Sequence, residues 1–329
     1  MHGLYLLWWV EECRLSPALV AAVLAAGDLS LVVLEIPTGW LADRFGHRAS
    51  LVVGSLIQVL GMLCCWLDPS VAGLVVATAL IALGDSFRSG ADEALLYRTC
   101  VALDRADAFQ RIEGRTQALE TLALSALVLA GGAVVTTWGF AAGWLAEALL
   151  CAIGLWIAWA MVEPQPAPEP EARTDAVHPP RILSARMLPL ILPAAATGGL
   201  AAAGSFLAQT SGEQTAASAS WLVALVTLSE AGGAALGGRL CGVSAARAPA
   251  LLAVLGLALA ALGLILPSSL VWMAILLAGL DGICGPLRAA AIQRLATDGT
   301  RAQAASLASA CDMALNAWLL PLAGLWRRR

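Results

Sequence analysis

Apolar runs of about twenty residues follow one another along almost the whole chain, each long enough to cross ~30 Å of hydrocarbon as a helix. The strands of a membrane barrel would instead be about ten residues of alternating polarity. These runs are continuous and rich in Ala and Leu, which excludes that pattern. Only 13% of the residues are charged, where a soluble domain carries roughly a quarter, so lipid is the main solvent. The expected fold class is an all-α membrane protein with about ten full spans. They lie near residues 17–42, 49–67, 70–95, 117–137, 141–162, 187–208, 215–238, 248–266, 269–290 and 304–326, with a partial first span at 1–10.

The basic residues then sort by side. The chain has no lysine, and all 19 of its Lys and Arg positions are arginine. Arg44, Arg48, Arg98, Arg105, Arg111, Arg115, Arg173, Arg181, Arg186, Arg239, Arg247, Arg288, Arg294 and Arg301 lie in or border alternate loops on one side. Between the mapped spans the other side shows only Arg14, beside Glu11 and Glu12. Positive charge marks the cytoplasmic side, so a multi-pass protein of a bacterial-type inner membrane is expected. The eight cysteines are scattered, mostly within spans, with no metal-ligand spacing, and read as small packing residues. Met1–Val10 lacks the basic start and small-residue cleavage site of a signal peptide.

One segment breaks the apolar pattern. Residues 163–186 are rich in proline and charge, so they are expected to form a cytoplasmic linker between an N-terminal bundle, 1–162, and a C-terminal bundle, 187–329. The two halves repeat one another without gaps. Glu35, Leu41, Arg44 and Gly61 fall on Glu230, Leu236, Arg239 and Gly256, and Gly84, Gly90 and Ala94 fall on Gly279, Gly285 and Ala289. Two charged matches at fixed spacing carry the most weight in a chain so rich in Gly, Leu and Ala. Parallel repeats of this kind, with a site at the membrane midplane between them, are a transporter design.

Between the first two full spans lies Gly39-Trp40-Leu41-Ala42-Asp43-Arg44-Phe45-Gly46-His47-Arg48. It resembles the signature loop of the major facilitator superfamily, G-x-L-A-D-R-x-G-R-R, with His47 where a basic residue is usual. The preceding Glu35-Ile36-Pro37-Thr38 and the later stretch Ser89–Tyr97, with Gly90, Asp92 and Glu93, are similar to one branch of that superfamily. The resemblance implies two pseudo-symmetric helical bundles. It also implies that Asp43 sits against the start of the span at 304–326, near Gln303 to Ser306, and that Arg44 or Arg48 pairs with Asp92 or Glu93. Gly39, Asp43, Arg44, Gly46, Arg48, Asp92 and Glu93 would together form a conformational latch. Two features of drug–proton antiporters are absent: Leu80 stands where an arginine is usual, and Leu127-Val128 where a Gly-Pro pair precedes Gly131-Gly132. The chain also looks incomplete at both ends by this comparison.

Ionisable groups within spans cost about 2.5–3.5 kcal/mol each at the midplane, so they face a cavity or a partner. Asp28, Asp85, Arg88, Glu120, Asp281 and Asp312 are the candidates for translocation or coupling. Asp85, Arg88 and Asp92 fall on one stripe of a helix, and Asp85 and Arg88 are close enough to pair. Glu35 and Glu230, at equivalent points of the repeat, read as structural groups bonded to neighbouring helix ends. Trp40, Trp66, Trp138, Trp144 and Trp159 read as interfacial anchors.

An enzyme is not expected. His2, His47 and His178 all lie outside span interiors, and Gly84-Asp85 lacks the glycine that an aspartyl-protease pair needs at Ala82. Without lysine there is no ATP-binding P-loop. The expected function is secondary transport of a small organic solute by alternating access, with proton-coupled export held open. The alternative is a truncated, non-transporting relic or membrane sensor on the same scaffold. The expected partners are the lipid bilayer, the solute and, on the coupled reading, protons; no cofactor, metal or nucleic acid is expected.

Overall fold

Inside hydrocarbon every backbone N–H and C=O must be paired within the protein, and a continuous apolar segment does this only as a helix. The computed structural model describes residues 8, 14, 17–68, 70–164, 187–210, 216–240, 247–266, 269–296 and 300–326, and all regular structure there is helical. The helices are α1 Pro17–Phe45, α2 His47–Leu67, α3 Val71–Arg88, α4 Ala91–Ala102, α5 Phe109–Ala160, α6 Leu188–Thr210, α7 Ala216–Gly237, α8 Arg247–Ile265, α9 Leu270–Leu295 and α10 Arg301–Trp326. A 3-10 turn, Ala106–Ala108, precedes α5.

Six of the described segments are long and apolar enough to cross a membrane: His47–Leu67, Val71–Ala102, Ala106–Ala160, Leu188–Ser205, Ser220–Gly237 and Leu270–Leu295. The expectation of about ten full spans is therefore not reached on length and apolarity alone. Part of the difference is geometric. At 52 residues, α5 bends at Gly139 (φ 81°, ψ 173°), a backbone conformation open to glycine and strained for other residues. Its halves run back antiparallel: Phe109 packs with Tyr97 near the signature-loop end, Phe140 with Met62 and Leu74 at the other, and Ala158 returns to Ala42 and Leu51. The partial first span, apart from Trp8, and the linker beyond Pro164 lie outside the described residues.

Helices α1–α5 build two cores, one around Met62, Leu74, Phe140 and Trp144, the other around Ala42, Leu51, Leu95 and Ala158, which Ala302 of α10 completes. Helices α6–α10 have cores of their own, around Ile191, Ile292 and Ala308 and around Leu270, Met273 and Leu277. Trp138 and Trp159 are well exposed, as anchors require, but Trp144 is not an anchor: it is 2% exposed and meets Trp8 edge-on at 5.1 Å. The groups of helices meet along several seams. One joins α1 to α10. A second joins α4 and α5 to α9, where Tyr97, Cys100 and Phe109 pack on Ala289 and Ala290. Another joins α5 to α7, where Gln110 donates to the Gly237 carbonyl, Gly114 lies against Gly238 and Ser125 and Thr227 share a hydrogen bond of 2.6 Å.

Candidate functional site between the helix bundles

Glu35, Gly39 and Asp43 are four residues apart on α1 and so lie on one face of that helix. That face is turned to the start of α10. A helix start has backbone N–H groups without acceptors and the positive end of the helix dipole. Asp43 supplies both needs, its two carboxylate oxygens accepting from the amides of Ala302 and Gln303 at 3.1 Å each. Gly39 brings the helices together; a Cβ there would stand 2.9 Å from Ser306 Oγ and 3.1 Å from Gln303 Cα. Beside α1, where Thr38 Oγ1 donates to the Ser86 carbonyl at 2.7 Å, the break between α3 and α4 meets the same Ser306. Gly90, in the left-handed conformation (φ 73°), leaves no room for a Cβ, which would meet the Ala302 carbonyl at 2.7 Å and Ser306 N at 2.9 Å. Ser306 Oγ donates to the Ser89 carbonyl (3.1 Å), and Ser89 Oγ to Ser309 Oγ (2.9 Å). The first turns of α10 are thus clamped onto α1 and the α3–α4 break together.

The remaining latch residues correct the pairing expected from sequence. Neither Arg44 nor Arg48 reaches Asp92 or Glu93 in the bonds described. Arg44 is exposed over the Trp40 ring at 5.2 Å, and Arg48 donates to the Trp159 carbonyl near the end of α5. The physical reason is Glu163. Its carboxylate caps the start of α2, accepting from the amides of His47 (2.8 Å) and Arg48 (3.1 Å), and pairs with Arg98 at 3.5 Å. Gly46 (φ 104°) makes the turn, and a Cβ on it would stand 2.6 Å from Glu163. Glu93 instead crosses the seam and accepts from Gln293 Nε2 at 2.9 Å. Asp92 is exposed and accepts from the Glu93 amide.

Asp85 and Arg88 stand 3.9 Å apart, each close to half exposed. Gln58 of α2 bridges them, donating to Asp85 and accepting from Arg88. The pair is therefore engaged sideways, within α1–α5, by a residue that sequence reasoning passed over; a lone glutamine in an apolar span was the available signal. Arg288, placed by sequence among the loop-bordering arginines, lies inside α9 and forms a partly buried ion pair with Asp312 of α10. Asp281 is two turns from Arg288, with Thr197 Oγ1 at 3.5 Å and Gly198 against its carboxylate. Glu120 is exposed on α5 within electrostatic reach of Asp92 and Arg88, and Glu230 links it in turn to Asp281. A trail of charged groups thus runs from one set of helices to the other. Asp28 lies on α1, its side chain outside the described residues. No three metal-ligating side chains gather among the described residues.

Comparison with known proteins agrees with this architecture. A family profile described as Major Facilitator Superfamily matches residues 2–318. Similar solved structures include the major facilitator transporter FucP in the outward conformation, at 13% identity and a TM-score of 0.67, over 98% of this chain and 90% of that one. The human organic anion transporter MFSD10 (TETRAN) matches with the same identity and TM-score, over 99% and 88%. The E. coli fucose:proton symporter FucP, as a single-residue variant, matches at 14% identity and a TM-score of 0.54, over 99% and 96%. At such identities the structural likeness speaks for the fold alone.

Proposed function

The chain belongs to the Major Facilitator Superfamily, a family of membrane transporters and not of enzymes, and on that premise we propose that it moves a small organic solute by alternating access. It is a secondary transporter in the bacterial inner membrane, with about ten full spans and a partial first one. The 1–162 and 187–329 bundles rock against one another, and the 163–186 linker and the arginine-rich end face the cytoplasm. Gly39, Asp43, Gly46 and Glu93 act as the latch at that end, with Arg44, Arg48 and Asp92 placed around it. Asp28, Asp85, Arg88, Glu120, Asp281 and Asp312 line the path. Protons are the coupling ion and export the direction.

The observation that carries this reading is the clamp on α10. It joins α10 to the first helices at one end, through a few hydrogen bonds and the packing of Ala302 among Ala42, Ala91 and Leu95. The excess of carboxylates over arginines along the charged trail supports proton handling. The test is solute flux in proteoliposomes, with sugars, organic anions and organic cations offered with and without a pH gradient. Saturable movement of at least one class, quickened by the gradient, is expected. Absence of saturable flux in every class would overturn transport, and flux indifferent to the gradient would overturn the coupling.

A further inference from the structure

The α5–α7 seam mirrors the α1–α10 seam in the sequence repeat, but it has arginines where the other has a carboxylate. Asp43 of α1 gives both its oxygens to the start of α10. In the repeat, Asp43 falls on Gly238, just as Arg44 falls on Arg239. Gly238 lies against the first turns of α5: a Cβ on Gly114 would stand 2.5 Å from the Gly238 Cα, and Gln110 donates to the Gly237 carbonyl at 3.1 Å. Glycine thus stands where the other seam has its acid.

Arg111 and Arg115 flank Gly114 one turn apart on α5, and Arg239 follows Gly238 at the end of α7. Each of Arg115 and Arg239 is one Cα step from its touching glycine, so their Cα atoms are no more than about 12 Å apart. Two arginine side chains span such a gap. All three arginines are exposed. The ion pairs among the described residues are Asp85 with Arg88, Glu163 with Arg98 and Asp312 with Arg288, and none includes the three. Asp107, a turn before Arg111, is exposed and not paired with it.

The outer flank of this seam is apolar. Gln110, Gly114 and Ser125 face α7, which turns Arg111, Arg115, Leu119 and Leu122 outward on a separate stripe of α5. Leu119 is 66% and Leu122 47% exposed, and Leu236 of α7, a turn before Arg239, is 49% exposed. The depths fit a bilayer. Measured along α5 from its bend at Gly139, Leu119 lies at about 30 Å, Arg115 at about 36 Å and Arg111 at about 42 Å. Hydrocarbon is ~30 Å thick, so the leucines meet acyl chains and the arginines stand among headgroups.

We propose that Arg111, Arg115 and Arg239 hold the phosphodiester of one anionic phospholipid across the α5–α7 seam, with its acyl chains along Leu119, Leu122 and Leu236. Three neighbouring cations repel one another, and a phosphodiester shared between them removes that repulsion while bonding α5 to α7 through charge-assisted hydrogen bonds. The apolar flank selects a lipid over free phosphate. At one seam the chain supplies its own acid through Asp43; at the other the membrane supplies it. Binding is read without solute, so it stands or falls separately from transport.

In the experiment the full chain, in detergent, is titrated with dioleoylphosphatidylglycerol or dioleoylphosphatidylcholine, and bound lipid is counted by native mass spectrometry. One phosphatidylglycerol per chain should bind at least about tenfold more tightly than phosphatidylcholine, whose choline would add a fourth cation. Each arginine beside an anionic headgroup contributes about fivefold. Arg115→Gln and Arg239→Gln should therefore each weaken binding by about that factor, and Arg115→Lys, which keeps the charge, should weaken it less. Arg294→Gln, exposed at the end of α9 and away from this seam, should leave it unchanged. Single substitutions preserve the arginine bias that orients the chain. Equal binding of phosphatidylcholine, parental affinity in Arg239→Gln, or an equal loss in Arg294→Gln would each overturn the proposal. Displacement of the lipid by inorganic phosphate would overturn it too, since the site would then take a free anion.

Discussion

At the scale of single residues, the closed seam depends on carboxylates whose geometry an amide cannot copy. Asp43 uses both oxygens, one on Ala302 N and one on Gln303 N. In Asp43→Asn one oxygen becomes an NH2 that faces another donor, and the charge opposite the helix dipole is lost. The expected weakening is about 1–2 kcal/mol. The amides of Ala302 and Gln303 should exchange with deuterium roughly ten times faster or more, read by mass spectrometry of peptides from the start of α10. Unchanged protection there would count against a latch at Asp43. The aspartate and its place in the loop were legible in the sequence, because the loop pattern is local. The bond that Glu163 makes with the same loop was not, since its partners lie 115 and 116 residues away.

At the scale of elements, the α5–α7 seam is made by glycines that let backbones touch. A Cβ on Gly114 would stand 2.5 Å from Gly238 Cα and 2.7 Å from the Ala234 carbonyl. Both obstacles are main chain, so neither can swing aside, and overpacking of this kind typically costs about 1–3 kcal/mol. Gly114→Leu should therefore pry α5 from α7. A disulfide between Ser125→Cys and Thr227→Cys reports it, since the parent hydroxyls are 2.6 Å apart in this seam. Its yield on oxidation should fall when Gly114→Leu is added; an undiminished yield would mean the seam does not depend on that close approach. The helices themselves were legible from apolar run length. The two-fold course of α5 through Gly139 depended on a single backbone angle.

At the scale of the whole molecule, the arginines decide which way the protein lies in the membrane. Arginine resists crossing during insertion, and Arg44, Arg98, Arg239 and Arg294 all fall at the end where α10 is clamped. Single cysteines placed at Asp104 or in the linker at Arg173 should be labelled by a membrane-impermeant maleimide only after intact cells are opened. Labelling from outside intact cells would invert the orientation and, with it, the side on which the latch closes.

The sequence by itself determined the apolar solvent, the helical class and the superfamily loop. Each of these is a property of neighbouring residues or of fixed spacings, and so survives without knowledge of how helices rotate against one another. Tertiary structure alone decided the partners. Asp43 meets amides 259 and 260 residues away, Arg288 closes on Asp312 and Gln58 comes between Asp85 and Arg88. It also buried Glu35 against Ser89 and Ser306. A helix rotated by one residue would turn each side chain by about 100°, exchanging every one of these partners while leaving the hydropathy, the charge bias and the motif unchanged.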